Sequence, residues 1–110
     1  MALKIAKKTK VKLKARTVRG DKYILRLFVT GIMPNSANAI YNINKICEEY
    51  LKGRYELQII DIYQQPSLAV AEHIIAIPVL IKKFPLPEER IIGDLSETNL
   101  VLECLGLKHK

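Results

Sequence analysis

The 110-residue sequence encodes an α/β sandwich, with helices packed on a mixed sheet in the order β-α-β-α-β-β-α. Three observations lead there. Short runs rich in β-branched and aromatic residues alternate with segments whose apolar residues recur at helical spacing. Glycine, proline, asparagine and serine gather at the joints between them. Hydrophobic residues make up 49% of the chain and charged residues 26%, the balance of one globular domain that can bury a core without disulfides or metal.

Tyr23 to Thr30 (YILRLFVT) is apolar on both faces apart from Arg26, which predicts a buried central strand. A turn at Gly31 to Pro34 follows. Asn35 or Ser36 then caps a helix whose Ile40, Ile43, Cys47 and Leu51 face the sheet, and Gly53 stops it. Tyr55 to Tyr63 reads as the second strand. Pro66, at a first helical position, opens a short helix through about residue 75. Pro78 to Lys83 and Arg90 to Gly93 are two further strands, joined by a turn containing Pro85 and Pro87. Ser96 caps a last helix with Leu100, Cys104 and Leu105 on its apolar face, and Gly106 sits where a helix C-terminal glycine belongs.

Charge divides the chain in two. Residues 1–22 hold nine Lys or Arg against Asp21, a net of +8, whereas residues 23–110 hold nine basic and ten acidic side chains, a net of −1. The chain therefore reads as a basic N-terminal arm, 1–22, before a near-neutral domain, 23–110. Lys10 to Arg16 alternates cations with Val11, Leu13 and Ala15, which is strand spacing with one cationic face. It predicts a solvated or edge-protecting strand, or an extension upstream of the true start, ahead of a contact to phosphates or an acidic surface. Nucleic acid is thus not the expected partner. Nor is a membrane, since no apolar run approaches the roughly 18 residues of a span. The arm lacks the apolar core of a secretory signal and the serines of a transit peptide, so the expected location is cytoplasmic.

Catalytic and metal-binding patterns are missing from the sequence. The five glycines are scattered, and none precedes a Lys-Ser or Lys-Thr pair that would cradle a phosphate. His73 and His109 each stand without a ligand cluster. Glu48-Glu49 and Glu88-Glu89 are neighbours that diverge on a helix or loop, unsuited to paired acid/base work. Ser36, Ser67 and Ser96 fall at helix starts, where capping accounts for them. Cys47 and Cys104 lie on apolar helix faces as small hydrophobes. No enzyme, metal or cofactor is expected.

The strand at 23–30, the proline-containing loop and the helix from residue 35 resemble the opening of a thioredoxin-like domain. So does Ala76-Ile77-Pro78-Val79, and that resemblance implies a cis Ile77–Pro78 bond. The helix start reads Thr30-Gly31-Ile32-Met33-Pro34-Asn35-Ser36, without the paired cysteines that disulfide exchange needs. The scaffold without its thiols points to binding. Three blocks narrow the likeness: YILRLFVTGIMPNSANAI at 23–40, LQIIDIYQQPSLA at 57–69 and IPVLIKKFPLPEERIIGDLS at 77–96. From about Asp21 to Leu107 the chain resembles the KaiB family of circadian clock proteins and their non-clock prokaryotic relatives.

The resemblance implies a non-enzymatic adaptor that binds a KaiC-like hexameric ATPase and recruits or displaces a further signalling protein there. It implies a homo-oligomer, dimer or tetramer, and exchange between the thioredoxin-like fold and an alternative βαββααβ ground-state fold. It places partner contacts at Gln64, His73, Lys82 and Arg90, and it gives Pro78, Pro85, Pro87, Gly93 and Asp94 a structural or fold-selecting role. Gln64, His73 and Asn38 stand where clock members tend to carry Lys or Arg, and the family's acidic tail is replaced by Leu107-Lys108-His109-Lys110. These departures fit stress or environmental signalling as well as a clock. The other readings are a thioredoxin-like redox or stress protein acting without KaiC, and a binder of anionic polymers through the arm.

Overall fold

The computed structural model describes residues 22–31 and 33–107, so the basic arm before Lys22 lies outside the described residues. The elements are β1 (Tyr23–Val29), α1 (Pro34–Tyr50), β2 (Tyr55–Asp61), α2 (Pro66–Ala71), β3 (Val79–Phe84), β4 (Glu89–Ile92) and α3 (Thr98–Leu105). Their order is the one expected. The sheet runs β2-β1-β3-β4, with β1 parallel to β2 and antiparallel to β3, and β4 antiparallel to β3.

Alternation along β1 explains why it is central. Tyr23, Leu25, Leu27 and Val29 pack with Ala39, Ile43, Ile46 and Cys47 of α1 and with Val101, Leu102 and Leu105 of α3. Phe28 emerges on the opposite face, where it joins Ile60, Val79 and Ile81 beneath Leu68 and Ala69 of α2. A strand buried on both sides needs apolar residues at both parities. The Tyr23 hydroxyl donates to the Leu105 carbonyl at 2.9 Å, which ties the start of β1 to the end of α3.

Several element ends differ from expectation, each for a local reason. α1 starts at Pro34 rather than after an Asn35 or Ser36 cap, because proline lacks the N–H that a first turn leaves unpaired. Ser36 is buried instead, and its Oγ accepts from the Thr30 N–H at 3.1 Å. β2 stops at Asp61, whose carbonyl accepts from the Gln64 and Gln65 N–H groups in a turn. α2 ends at Ala71 rather than near residue 75, as His73 enters a left-handed conformation at φ 56°. Ser96 does not cap α3: its N–H donates to Asp94 Oδ1, and the helix begins at Thr98. That register buries Val101, Leu102 and Leu105, leaves Cys104 half-buried and turns Leu100 outward. Gly106 ends the helix at φ 76°, as expected.

The peptide bonds before Pro78, Pro85 and Pro87 are all cis.

Two substitutions check this framework. Ile43→Ala opens a cavity where the side chain is fully buried, and urea unfolding should show a loss of about 2–5 kcal/mol. Gly106→Ala meets no atom within 4 Å, so its expected cost of about 1–2 kcal/mol is that of the left-handed backbone alone.

Candidate functional site

α2 spans only six residues and covers only part of its side of the sheet. Beside it the sheet carries charged groups gathered by one carboxylate, that of Glu72 at the C-terminal end of α2. Glu72 Oε2 accepts from Lys83 Nζ of β3 at 2.9 Å and from Arg26 Nη1 of β1 at 3.1 Å, and its Oε1 accepts from Arg90 Nη2 of β4 at 3.2 Å. Glu88 adds contacts to Lys83 at 3.2 Å and Arg90 at 3.6 Å. One side chain thereby pins a helix to three strands.

The electrostatics follow from that geometry. The Lys83 hydrogen bond, and then the charges of Lys83, Arg26 and Arg90, hold the Glu72 carboxyl below its usual range against the opposing effect of burial. The Glu72 hydrogen bond raises Lys83 in turn. Sequence reading missed Glu72, Arg26 and Lys83, although two signals were there. Arg26 is the one charged residue in an apolar strand, and Glu72 is the only acid between Asp61 and Glu88.

Of the four expected contact residues, the structure brings two together. His73, leaving α2, and Arg90, on β4, line one pocket of ≈ 160 Å³ with Ile75 and Ile92. Ile75 is 94% exposed and Ile92 62%, an unusual state for isoleucine. Gln64 is exposed in the turn that enters α2, at the other end of that helix. Lys82 does not join them. It is buried on the α3 side of β3, where its charge acts on the Cys104 thiol.

Gly93 and Asp94 form the link from β4 to α3. Gly93 has φ 125°, and its N–H donates to the Pro78 carbonyl at 2.9 Å. The Asp94 carbonyl accepts from Asn42 Nδ2 at 2.8 Å, which fastens the link to α1. The next residue, Leu95, is buried at φ 66°.

The two cysteines are poorly placed for thiol chemistry. Burial, and then Glu48, pushes the Cys47 thiol up to about 12; burial, and then Glu89, also raises Cys104 against a lowering by Lys82. Little thiolate is available at neutral pH, which weighs against the redox reading. At the end of the sheet before α1, the Gly31 N–H donates to Asp61 Oδ2 at 3.1 Å. A Cβ at residue 31 would lie 2.9 Å from the same oxygen, so a larger residue there would push the Asp61 carboxylate aside and disturb this bond. No group of three His, Cys, Asp or Glu side chains among the described residues is placed to hold a metal ion. Nor is any helix among them long and apolar enough to cross a membrane.

Comparison with known proteins supplies the relationship. The family model of the KaiB domain matches residues 26–107. A circadian clock protein KaiB3 of Synechocystis sp. is 47% identical over 87 residues, 79% of this chain and 83% of that protein. A circadian clock oscillator protein KaiB of Thermostichus vulcanus is 44% identical over 88 residues, 80% of this chain and 82% of that protein. Among solved structures, the N-terminal domain of Synechococcus elongatus SasA has a TM-score of 0.65 at 22% identity, covering 90% of this chain and 96% of that one. Mitochondrial thioredoxin 3 of Saccharomyces cerevisiae also reaches 0.65, at 16% identity over 79% of this chain and 80% of that one. The fold is thioredoxin-like, as the resemblance implied.

Glu72→Gln should cost about 1–2 kcal/mol at neutral pH, between the values for exposed and buried ion pairs. The folded carboxyl lies below its unfolded value near 4.3, so its stabilisation is full above about pH 5 and is lost as pH falls through the folded pKa. Denaturation curves of the wild type and Glu72→Gln should converge in acid. In strong base the gap should narrow but not close: Lys83 loses its charge once pH passes its raised value, while Arg26 and Arg90 stay charged and keep their bonds to Glu72.

Proposed function

The chain belongs to the KaiB family of circadian clock proteins, and on that premise we propose that it is a non-enzymatic adaptor that docks on a KaiC-like hexameric ATPase and alters its signalling in the cytoplasm. The observation that carries this reading is the KaiB domain match across residues 26–107, which takes in every described element from within β1 to the end of α3. The placement of His73 and Arg90 at one exposed pocket supports a contact face there, with Gln64 at the far end of α2 extending it. Arg90 is anchored by Glu72 and Glu88, so it offers a guanidinium of fixed position to an acidic partner. Lys82, buried on the α3 side of β3, is not presented to the partner in this fold. Gly93 and Asp94, with Pro78, Pro85 and Pro87, bear on the choice between this fold and the family's alternative packing.

The test is equilibrium binding to the KaiC-type ATPase of the same organism, with ADP and with a non-hydrolysable ATP analogue, followed by light scattering. Nucleotide-dependent association is the expected result, and Arg90→Glu should weaken it at least about tenfold. Absence of association under both nucleotides would sink the adaptor reading.

A further inference from the structure

The pocket between the α2–β3 bend and β4 has more specific content than a general contact face. Its ≈ 160 Å³ is well short of the roughly 300–1,000 Å³ of small-molecule and cofactor sites, and it suits one large apolar side chain. Ile75, Ala76, Val79 and Ile92 make its walls apolar, and the two isoleucines stand in water at a cost that an occupant would remove. The β4 lip is fixed, and the other is anchored at its foot, where the Ile74 N–H donates to the Ala69 carbonyl at 3.0 Å. β4 pairs with β3 from Val79↔Ile92 to Lys82↔Glu89, and the Gly93 N–H holds the Pro78 carbonyl at the mouth. A preformed slot loses little entropy when it fills.

Charge specifies what lies beside the occupant. Arg26, Lys83 and Arg90 surround Glu72 and Glu88, three cations against two carboxylates, which leaves one positive charge on the network. Arg90 is the member that lines the pocket. The two interspersed carboxylates break any continuous cationic track of the kind a phosphate polymer follows. An apolar anchor beside an arginine is also the usual anatomy of a protein–protein hot spot.

We propose that this slot seats a single leucine-sized or phenylalanine-sized side chain of a protein partner, with an adjacent carboxylate of that partner engaging Arg90. The inference rests on the docking reading above and adds the chemistry that the partner must present. Glu72 acts as a positioning residue that keeps Arg90 at the rim.

Methyl NMR of the full chain titrated with the acetylated, amidated tripeptide Glu-Leu-Glu tests the slot without the ATPase. Saturable shifts of the Ile75 and Ile92 methyls are expected at millimolar peptide. Ala76→Phe, which fills the slot, should weaken them at least about tenfold, and Arg90→Gln should flatten their dependence on salt. Ile75→Ser, at a 94% exposed position, removes a wall without touching the core and should act like Ala76→Phe. Shifts that do not saturate, or that survive both wall variants, would overturn the proposal. Against the ATPase ring, wild-type binding that Ala76→Phe and Ile75→Ser leave intact would overturn the slot and spare the adaptor reading. Peptide seating without ring binding would uphold the slot and sink the adaptor reading alone.

Discussion

Every layer of this molecule meets at β1. Its seven residues bury side chains on both faces of the sheet, so the α1/α3 core and the smaller α2 core share one strand as their floor. Leu25 and Leu27 belong to one core and Phe28 to the other, all fully buried. A substitution in β1 therefore reaches both sides, whereas one in α2 disturbs only the lesser cluster. Arg26, the one charged side chain of that strand, is tolerated because Glu72 reaches it across the sheet. An unpaired guanidinium beside so apolar a floor would be costly.

That pairing links the interior to the exposed face. Glu72 fastens the end of α2, orders Lys83 and gives Arg90 a fixed seat next to an apolar hollow. The α1/α3 side, with its longer helices and larger core, serves as foundation. The side with the shorter helix is the one that leaves apolar residues, Ile75 and Ile92 among them, uncovered. The same backbone that carries thiol chemistry in thioredoxins here has a glycine pressed against Asp61 and a buried serine at the start of α1.

Much of the architecture was legible because period and punctuation agreed. The doubly apolar pattern of residues 23–30 marked a central strand, and Ile43, Cys47 and Leu51 marked the buried face of α1. The ends were less legible, since tertiary hydrogen bonds set them. Ser36 was drawn to Thr30 and Ser96 to Asp94, so neither serine caps a helix. Leu100 shows the limit of composition: an apolar residue in an apolar helix still turns outward when the helix starts one residue later. At the candidate site, His73 and Arg90 were identifiable by resemblance. Their convergence on one pocket depends on the β3–β4 register, which no local pattern encodes.

Lys82 and Lys83 are neighbours in sequence and strangers in environment. Strand alternation sends the first beneath α3, where it is 4% exposed, and the second to Glu72, with 29% of its side chain in water. An amine-modifying reagent should therefore distinguish two adjacent lysines of identical chemistry, reaching the second faster than the first even though its bonds to Glu72 and Glu88 hold it protonated. A slip of one residue in β3 would exchange them. The dipeptide is thus a built-in gauge of register, whose labelling ratio reports which face of the sheet each residue occupies.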